Sequence, residues 1–179
     1  MFKTVSQKQK QAFESLKEKF NYKNPNEAPR IEKVVVSTGV GSTTDKQKLK
    51  LVPEKLALIT GQKPREIKAK KSIAQFKVRE GQLSAYKVTL RGEKALGFLD
   101  KVIDIALPRT RDFRGLSADS VDEMGNYTFG VKENTIFPET SDEELRNVFG
   151  MSVTIVVSNT DSKEETISFL ELIGLPFKK

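Results

Sequence analysis

The chain has no cysteine and no histidine among its 179 residues. Without thiols there is no disulfide framework, no thiolate zinc site and no cysteine nucleophile. Without imidazole it lacks the commonest general base and the commonest transition-metal ligand. Classical triads and zinc hydrolases are excluded. A magnesium site built from carboxylates alone survives, because hard cations need only oxygen ligands. No run of about 18 apolar residues exists, so nothing reads as a bilayer span and no membrane partner is expected. The first residues, MFKTVSQKQKQAF, hold no apolar stretch of the secretory kind, and a cytoplasmic location is expected. No internal repeat is visible.

What is present is charge, unevenly placed. The chain carries 31 Lys+Arg and 24 Asp+Glu, a formal +7. Residues 1–61 hold 12 basic against 6 acidic side chains, residues 62–94 hold 10 against 3, and residues 95–179 hold 9 against 15. The first 94 residues therefore carry +13 and the rest −6. One domain over residues 1–179 is expected, with a basic part, 1–94, and an acidic part, 95–179. Such asymmetry suits two unlike partners: a polyanion such as RNA for the basic part, a basic protein for the acidic part.

Periodicity predicts an α+β fold, an antiparallel β-sheet with helices packed on one face and the other face free to bind RNA. Helices are expected over 6–20 (Ser6 as cap), 46–60, 92–107, 141–148 and 162–173. Pro53 falls inside the second as a potential break. Strands are expected over 30–37, 65–70, 84–91, 127–132 and 151–157. The segment SAYKVTLR alternates cleanly, with Tyr86, Val88 and Leu90 facing one way and Lys87, Thr89 and Arg91 the other. That second row, about 13 Å long, offers a hydroxyl, an ammonium and a guanidinium to a phosphate backbone. Residues 71–81 read as an extended basic loop. Lys68, Lys70, Lys71, Lys77 and Arg79 surround Ile73 and Phe76, and Phe76 either stacks on a base or anchors the loop to the core.

Two catalytic readings fail on the residues. The turn TGVGS, Thr38–Ser42, follows a strand but has no third glycine and no Gly-Lys-Ser/Thr, so it is not a phosphate loop of the known kinds. Its backbone N–H groups could still meet an RNA phosphate. The carboxylates Asp104, Asp112, Asp119, Asp122 and Glu123 read as helix-end and loop residues rather than as a magnesium site. No cofactor and no catalytic residue is expected. A nucleotide-binding enzyme and a general RNA chaperone remain as competing readings.

The stretches PRIEKVVVSTGVG, ITGQKP, KAKKSIAQFKVREG, AYKVTLRGE, LPRTRDFRGLS, GNYTFGVKENTIFPE and the terminal PFKK, in this order, closely resemble the L-five family of bacterial large-subunit ribosomal proteins. The resemblance implies a non-enzymatic role in the ribosome's central protuberance. Its partners would be 5S rRNA, a helix of 23S rRNA, the peptidyl-site tRNA, neighbouring large-subunit proteins and a basic small-subunit head protein. The family's 5S-facing positions match Ser37, Gln62, Thr89 and Arg91. With their neighbours, the expected rRNA contacts are Ser37, Thr38, Gln62, Lys63, Lys68, Lys70, Lys87, Thr89 and Arg91. The family's tRNA-facing loop matches Lys71, Ser72, Phe76, Lys77 and Arg79. The acidic run Asp142, Glu143 and Glu144 is expected to face the basic head protein. Two departures stand out. Ser37 replaces the usual Asn and cannot reproduce its amide. VDEMG, Val121–Gly125, lacks the basic residue of the usual Phe-Asp-Gly-Arg-Gly.

Overall fold

The computed structural model describes residues 4–41, 43, 45–76, 78–141, 147–160 and 162–178. Five strands, β1 (Arg30–Gly39), β2 (Arg65–Lys68), β3 (Leu83–Arg91), β4 (Asn126–Val131) and β5 (Met151–Ser158), form one sheet in the order β2-β3-β1-β5-β4. Among the described residues five α-helices accompany it: α1 (Val5–Lys10), α2 (Ala12–Phe20), α3 (Lys46–Thr60), α4 (Glu93–Lys101) and α5 (Lys163–Ile173). The fold is α+β, with an antiparallel sheet and helices packed on it. The chain divides into two compact units. One comprises Met1–Val34, Arg91–Phe129 and Thr154–Lys179; the other comprises Val35–Leu90 and Gly130–Val153.

In the second unit, α3 starts where the Asp45 side chain accepts from the Gln47 N–H at 2.9 Å, and it ends at Gly61, held at φ 67°. Pro53 does not break it. Proline cannot donate to the carbonyl four residues back, which leaves the Leu49 C=O without its helical partner. Tyr86 Oη of β3 donates to that oxygen at 3.1 Å. The same bond that satisfies the proline gap fastens α3 to the strand. Val52, Leu56 and Ile59 are buried with Tyr86, Val88 and Leu90. Each such aliphatic side chain contributes about 1.5–3 kcal/mol by leaving water. Burial, and secondarily the Glu66 charge, pushes the Tyr86 phenol upward.

The turn expected at Thr38 is still strand. Thr38 and Gly39 belong to β1, and the Val40 N–H reaches Ser84 O at 2.8 Å. In the same unit, Asn134 is fully buried and pins the chain after β4: its Oδ1 accepts from the Phe149 N–H at 3.1 Å. The helix expected over 141–148 falls mostly on residues outside those described.

In the first unit, the helix expected over 6–20 is two helices meeting at Gln11, whose N–H is shared between the Gln7 and Lys8 carbonyls at 3.3 and 3.1 Å. Thr4, not Ser6, caps the start. Its hydroxyl takes the Gln7 N–H while the Gln7 side chain takes the Thr4 N–H, a reciprocal pair that the Thr-x-x-Gln spacing permits. Val5 N–H then donates to Asp100 Oδ1 at 2.7 Å, and Lys8 Nζ to Ile173 O at 2.9 Å, tying α1 to α4 and to the end of α5. The helix expected over 92–107 is α4 followed by a wider π turn, Val102–Ala106. Ser162 caps α5 by accepting from the Glu165 N–H at 3.2 Å, and Gly174 closes it at φ 106°.

Candidate nucleic-acid interface

Strand alternation sorts the sheet into two chemically distinct faces. On β3, Tyr86, Val88 and Leu90 are buried while Lys87 and Arg91 are exposed and Thr89 half-buried. On β5, Met151, Val153, Ile155 and Val157 are buried, and Ser152, Thr154, Val156 and Ser158 look the other way. On β4, Tyr127, Phe129 and Val131 are buried, opposite Asn126, Thr128 and Gly130. Every aromatic residue of the strands lies on the helix side. The open side carries hydroxyls, small aliphatics and cations.

Within the second unit the open face is ordered by its own bonds. Ser37 and Ser152 pair through their hydroxyls at 2.9 Å. Gln62 Nε2 donates to Thr89 O at 3.2 Å, so this side chain continues the edge of β3 beyond the reach of β2. The β2–β3 register places Arg65 opposite Lys87, a cation that the sequence reading passed over. Lys63, Lys68 and Lys70 are exposed nearby in sequence. The structure thus gathers Ser37, Gln62, Lys87 and Thr89 on one sheet. Thr38 does not join them. It lies on the opposite face, 3% exposed, and its hydroxyl is spent on Gly150 O at 2.6 Å.

Within the first unit, Thr128 and Thr154 form a second hydroxyl pair at 2.9 Å. Arg91 is engaged: Glu32 Oε1 holds it at 3.1 Å and holds Lys33 at the same distance. The hydrogen bond from Lys33, then that from Arg91, keeps the Glu32 carboxyl below the ordinary glutamate range. All three side chains are solvent-accessible, so this ion pair costs little to exchange for a phosphate. The hydroxyls Ser152, Thr128 and Thr154 were missed in the sequence, although the alternation of MSVTIVVS carries the signal for two of them.

The β2–β3 connection is not a plain extended loop. Ile73 and Val78 exchange backbone bonds at 3.0 and 3.3 Å around a short turn, Ala74–Phe76. Ser72 Oγ accepts from the Glu80 N–H at 2.9 Å, and Gln82 Oε1 from the Arg79 N–H at 3.1 Å. Lys71, Ser72 and Arg79 are exposed on it, with Ile73 47% exposed. Lys77 and the Phe76 side chain lie outside the described residues, as do Asp142, Glu143 and Glu144. The Val121–Gly125 departure forms a tight turn about Asp122, whose Oδ1 accepts from the Asn126 and Met124 N–H groups at 2.6 and 3.0 Å. Burial works against the Asp122 charge, but the bonds from Asn126 and Met124 outweigh it and hold the carboxyl below its usual range. Met124, 79% exposed, offers no charge to RNA.

Among the described residues no group of three metal-ligating side chains comes together, and no helix is long and apolar enough to cross a membrane.

Residues 24–79 match the family model for ribosomal protein L5, and residues 84–177 match the model for the C-terminus of the ribosomal L5 family. The chain is 50% identical over 171 residues to the large ribosomal subunit protein uL5 of Malacoplasma penetrans, covering 95% of this chain and 91% of that one. It is 48% identical over 166 residues to the uL5 protein of Alkaliphilus metalliredigens, covering 92% of each.

Proposed function

The chain belongs to the ribosomal protein L5 family, and from that premise we propose that it is a non-catalytic constituent of the large ribosomal subunit that holds 5S rRNA against the open face of its sheet. The observation that carries this reading is the composition of that face. A sheet that reads single-stranded RNA presents aromatic rings on which bases stack. Here the rings of the strands are buried beneath the helices. Hydroxyls and lysine ammonium groups cannot stack, and of the residues named on this face only Arg65 and Arg91 carry a planar cation. They can donate to phosphate and to ribose 2′-OH groups, which suits the wide, shallow groove and backbone of an RNA helix. Ser37, Gln62, Lys87, Thr89 and Arg91 are the contacts, with Lys63, Lys68 and Lys70 adding long-range attraction. Arg65 and Ser152 extend the surface of the second unit. Thr38 contributes packing instead.

The closed β2–β3 loop, with Lys71, Ser72, Phe76, Lys77 and Arg79, is the part assigned to peptidyl-site tRNA. Asp142, Glu143 and Glu144 are assigned to a basic small-subunit head protein, across the subunit interface. A helix of 23S rRNA and neighbouring large-subunit proteins complete the partners, and the cytoplasmic ribosome is the location.

The test is the salt dependence of 5S rRNA binding. Roughly 5 to 8 phosphate contacts on a double helix give a log–log slope of about −4.5 to −7, with affinity falling steeply between low and physiological salt. A slope near zero would contradict a backbone-reading interface.

A further inference from the structure

A carboxylate stands among the cations at one end of the open row. By strand alternation Glu32 of β1 belongs with Val34, which is fully buried on the helix side, while Lys33 belongs to the open row. The Glu32 side chain leaves its own row. Its Oε1 lies 3.1 Å from Lys33 Nζ and 3.1 Å from Arg91 Nη1, so one oxygen is held by two cations. Adjacent residues of a strand point to opposite faces, and the backbone alone does not bring Glu32 to Lys33. Charge attraction does. The cluster is open to solvent, with the Arg91 side chain 60% and the Glu32 side chain 43% exposed.

An RNA phosphate oxygen carries the same charge as this oxygen and accepts the same bonds. The arrangement around Glu32 Oε1 is therefore an anion site filled by the protein's own anion. The bonds from Lys33 and then from Arg91 hold the Glu32 carboxyl below the ordinary glutamate range, so the group is negative at neutral pH. Arg91 has further N–H donors to offer. A phosphate that took them with Glu32 still in place would stand a few ångströms from a carboxylate, and like charges so close repel. Docking and the Glu32 contacts exclude one another.

We propose that Glu32 is an internal competitor of RNA: in the free protein its carboxylate takes the phosphate position between Lys33 and Arg91, and RNA displaces it on docking. The proposal rests on the RNA-binding reading above and adds a device that sets the strength of that site. Exposed ion pairs are weak and screened by salt, so the carboxylate lowers affinity without closing the site. It acts on any polyanion that reaches for these two cations.

The experiment uses the full chain with two probes, 5S rRNA and inorganic polyphosphate, at low and at physiological salt. Glu32→Gln keeps the length of the side chain and removes its charge. It tightens binding of both probes about three- to tenfold at low salt, because two exposed ion pairs no longer have to be broken. The gain shrinks as salt rises. In a Lys33→Gln/Arg91→Gln background the same change gains less than about twofold, since no cations are left to release. A thermal melt of each variant shows that the fold is kept. A gain that persists in that background overturns the proposal, because Glu32 would then repel phosphate through space instead of competing for the two cations. Weaker binding by Glu32→Gln with an unchanged melt also overturns it, because Glu32 would then orient Arg91 for RNA. The second probe separates the proposal from the reading it rests on. A polyphosphate gain that vanishes in the Lys33→Gln/Arg91→Gln background supports the competitor even where 5S rRNA is not preferred, and no gain with either probe overturns it.

Discussion

Gly115→Ala lowers unfolding stability by about 3–5 kcal/mol, which corresponds to a drop of about 10 °C in Tm for a chain of this size. Gly115 sits at φ +92°, where an L side chain is strained. A Cβ there would stand 2.8 Å from Lys178 N and 3.0 Å from Phe177 C and O. These are backbone atoms and cannot swing aside. The tail must lift, which breaks the two 2.8 Å bonds to Leu116 and the edge-on contact of Phe177 with Tyr127. The phenol of Tyr127, pushed up to about 12 by burial, would then be exposed at one side. Gly97→Ala is the control. Gly97 lies inside α4 with open space around it, and alanine stabilises there by about 0.5–1 kcal/mol through helix propensity. Equilibrium unfolding in urea measures both. Equal effects would refute the clamped-tail account.

The second large effect is on binding. Lys87→Glu with Arg91→Glu weakens 5S rRNA binding about 100- to 1,000-fold near 0.1 M salt, because two charged contacts worth about 1.5–3 kcal/mol each are removed and repulsion added. The fold should survive. Both side chains are exposed, and a glutamate at 87 stands opposite Arg65 in the strand register. The loss shrinks as salt rises, since screening weakens repulsion as well as attraction. Filter binding at several salt concentrations, with a thermal melt of each variant, decides the matter. An unchanged affinity would remove β3 from the interface.

Much of this was legible in the sequence, for a physical reason that can be named. The period-two alternation of Tyr86, Val88 and Leu90 against Lys87, Thr89 and Arg91 is local, so β3 and its open row could be read directly. The caps at Ser162 and Gly174 were equally local. What was misread depended on partners distant in sequence. The helix over 46–60 is as expected, and Pro53 is a potential break in it only because the group that takes the Leu49 carbonyl, Tyr86 Oη, is 37 residues away from Leu49. Thr38 reads as a turn residue because Gly39 and Gly41 flank Val40, but the Val40 N–H bond to Ser84 O carries the pairing past Gly39. Arg109, Arg111 and Arg114 are hidden by averaging: a block balance of −6 conceals three cations within six positions. The Arg65–Lys87 pairing needed the register, which the sequence does not state.

Absence of histidine and cysteine excluded whole chemistries at the outset, and the faces of the sheet supply the positive counterpart. Rings are buried and hydroxyls and cations are displayed, the arrangement on which the proposed reading of an RNA helix rests. The measurement that bears most directly on this is a titration of the wild-type chain with 5S rRNA and with an unrelated folded RNA of similar size, at one fixed salt concentration. The expected result is binding to 5S rRNA at least about a thousandfold tighter, the low end of the usual span of specific over non-specific nucleic-acid affinity. Equal affinity for the two RNAs would contradict it and leave only a general attraction for polyanions.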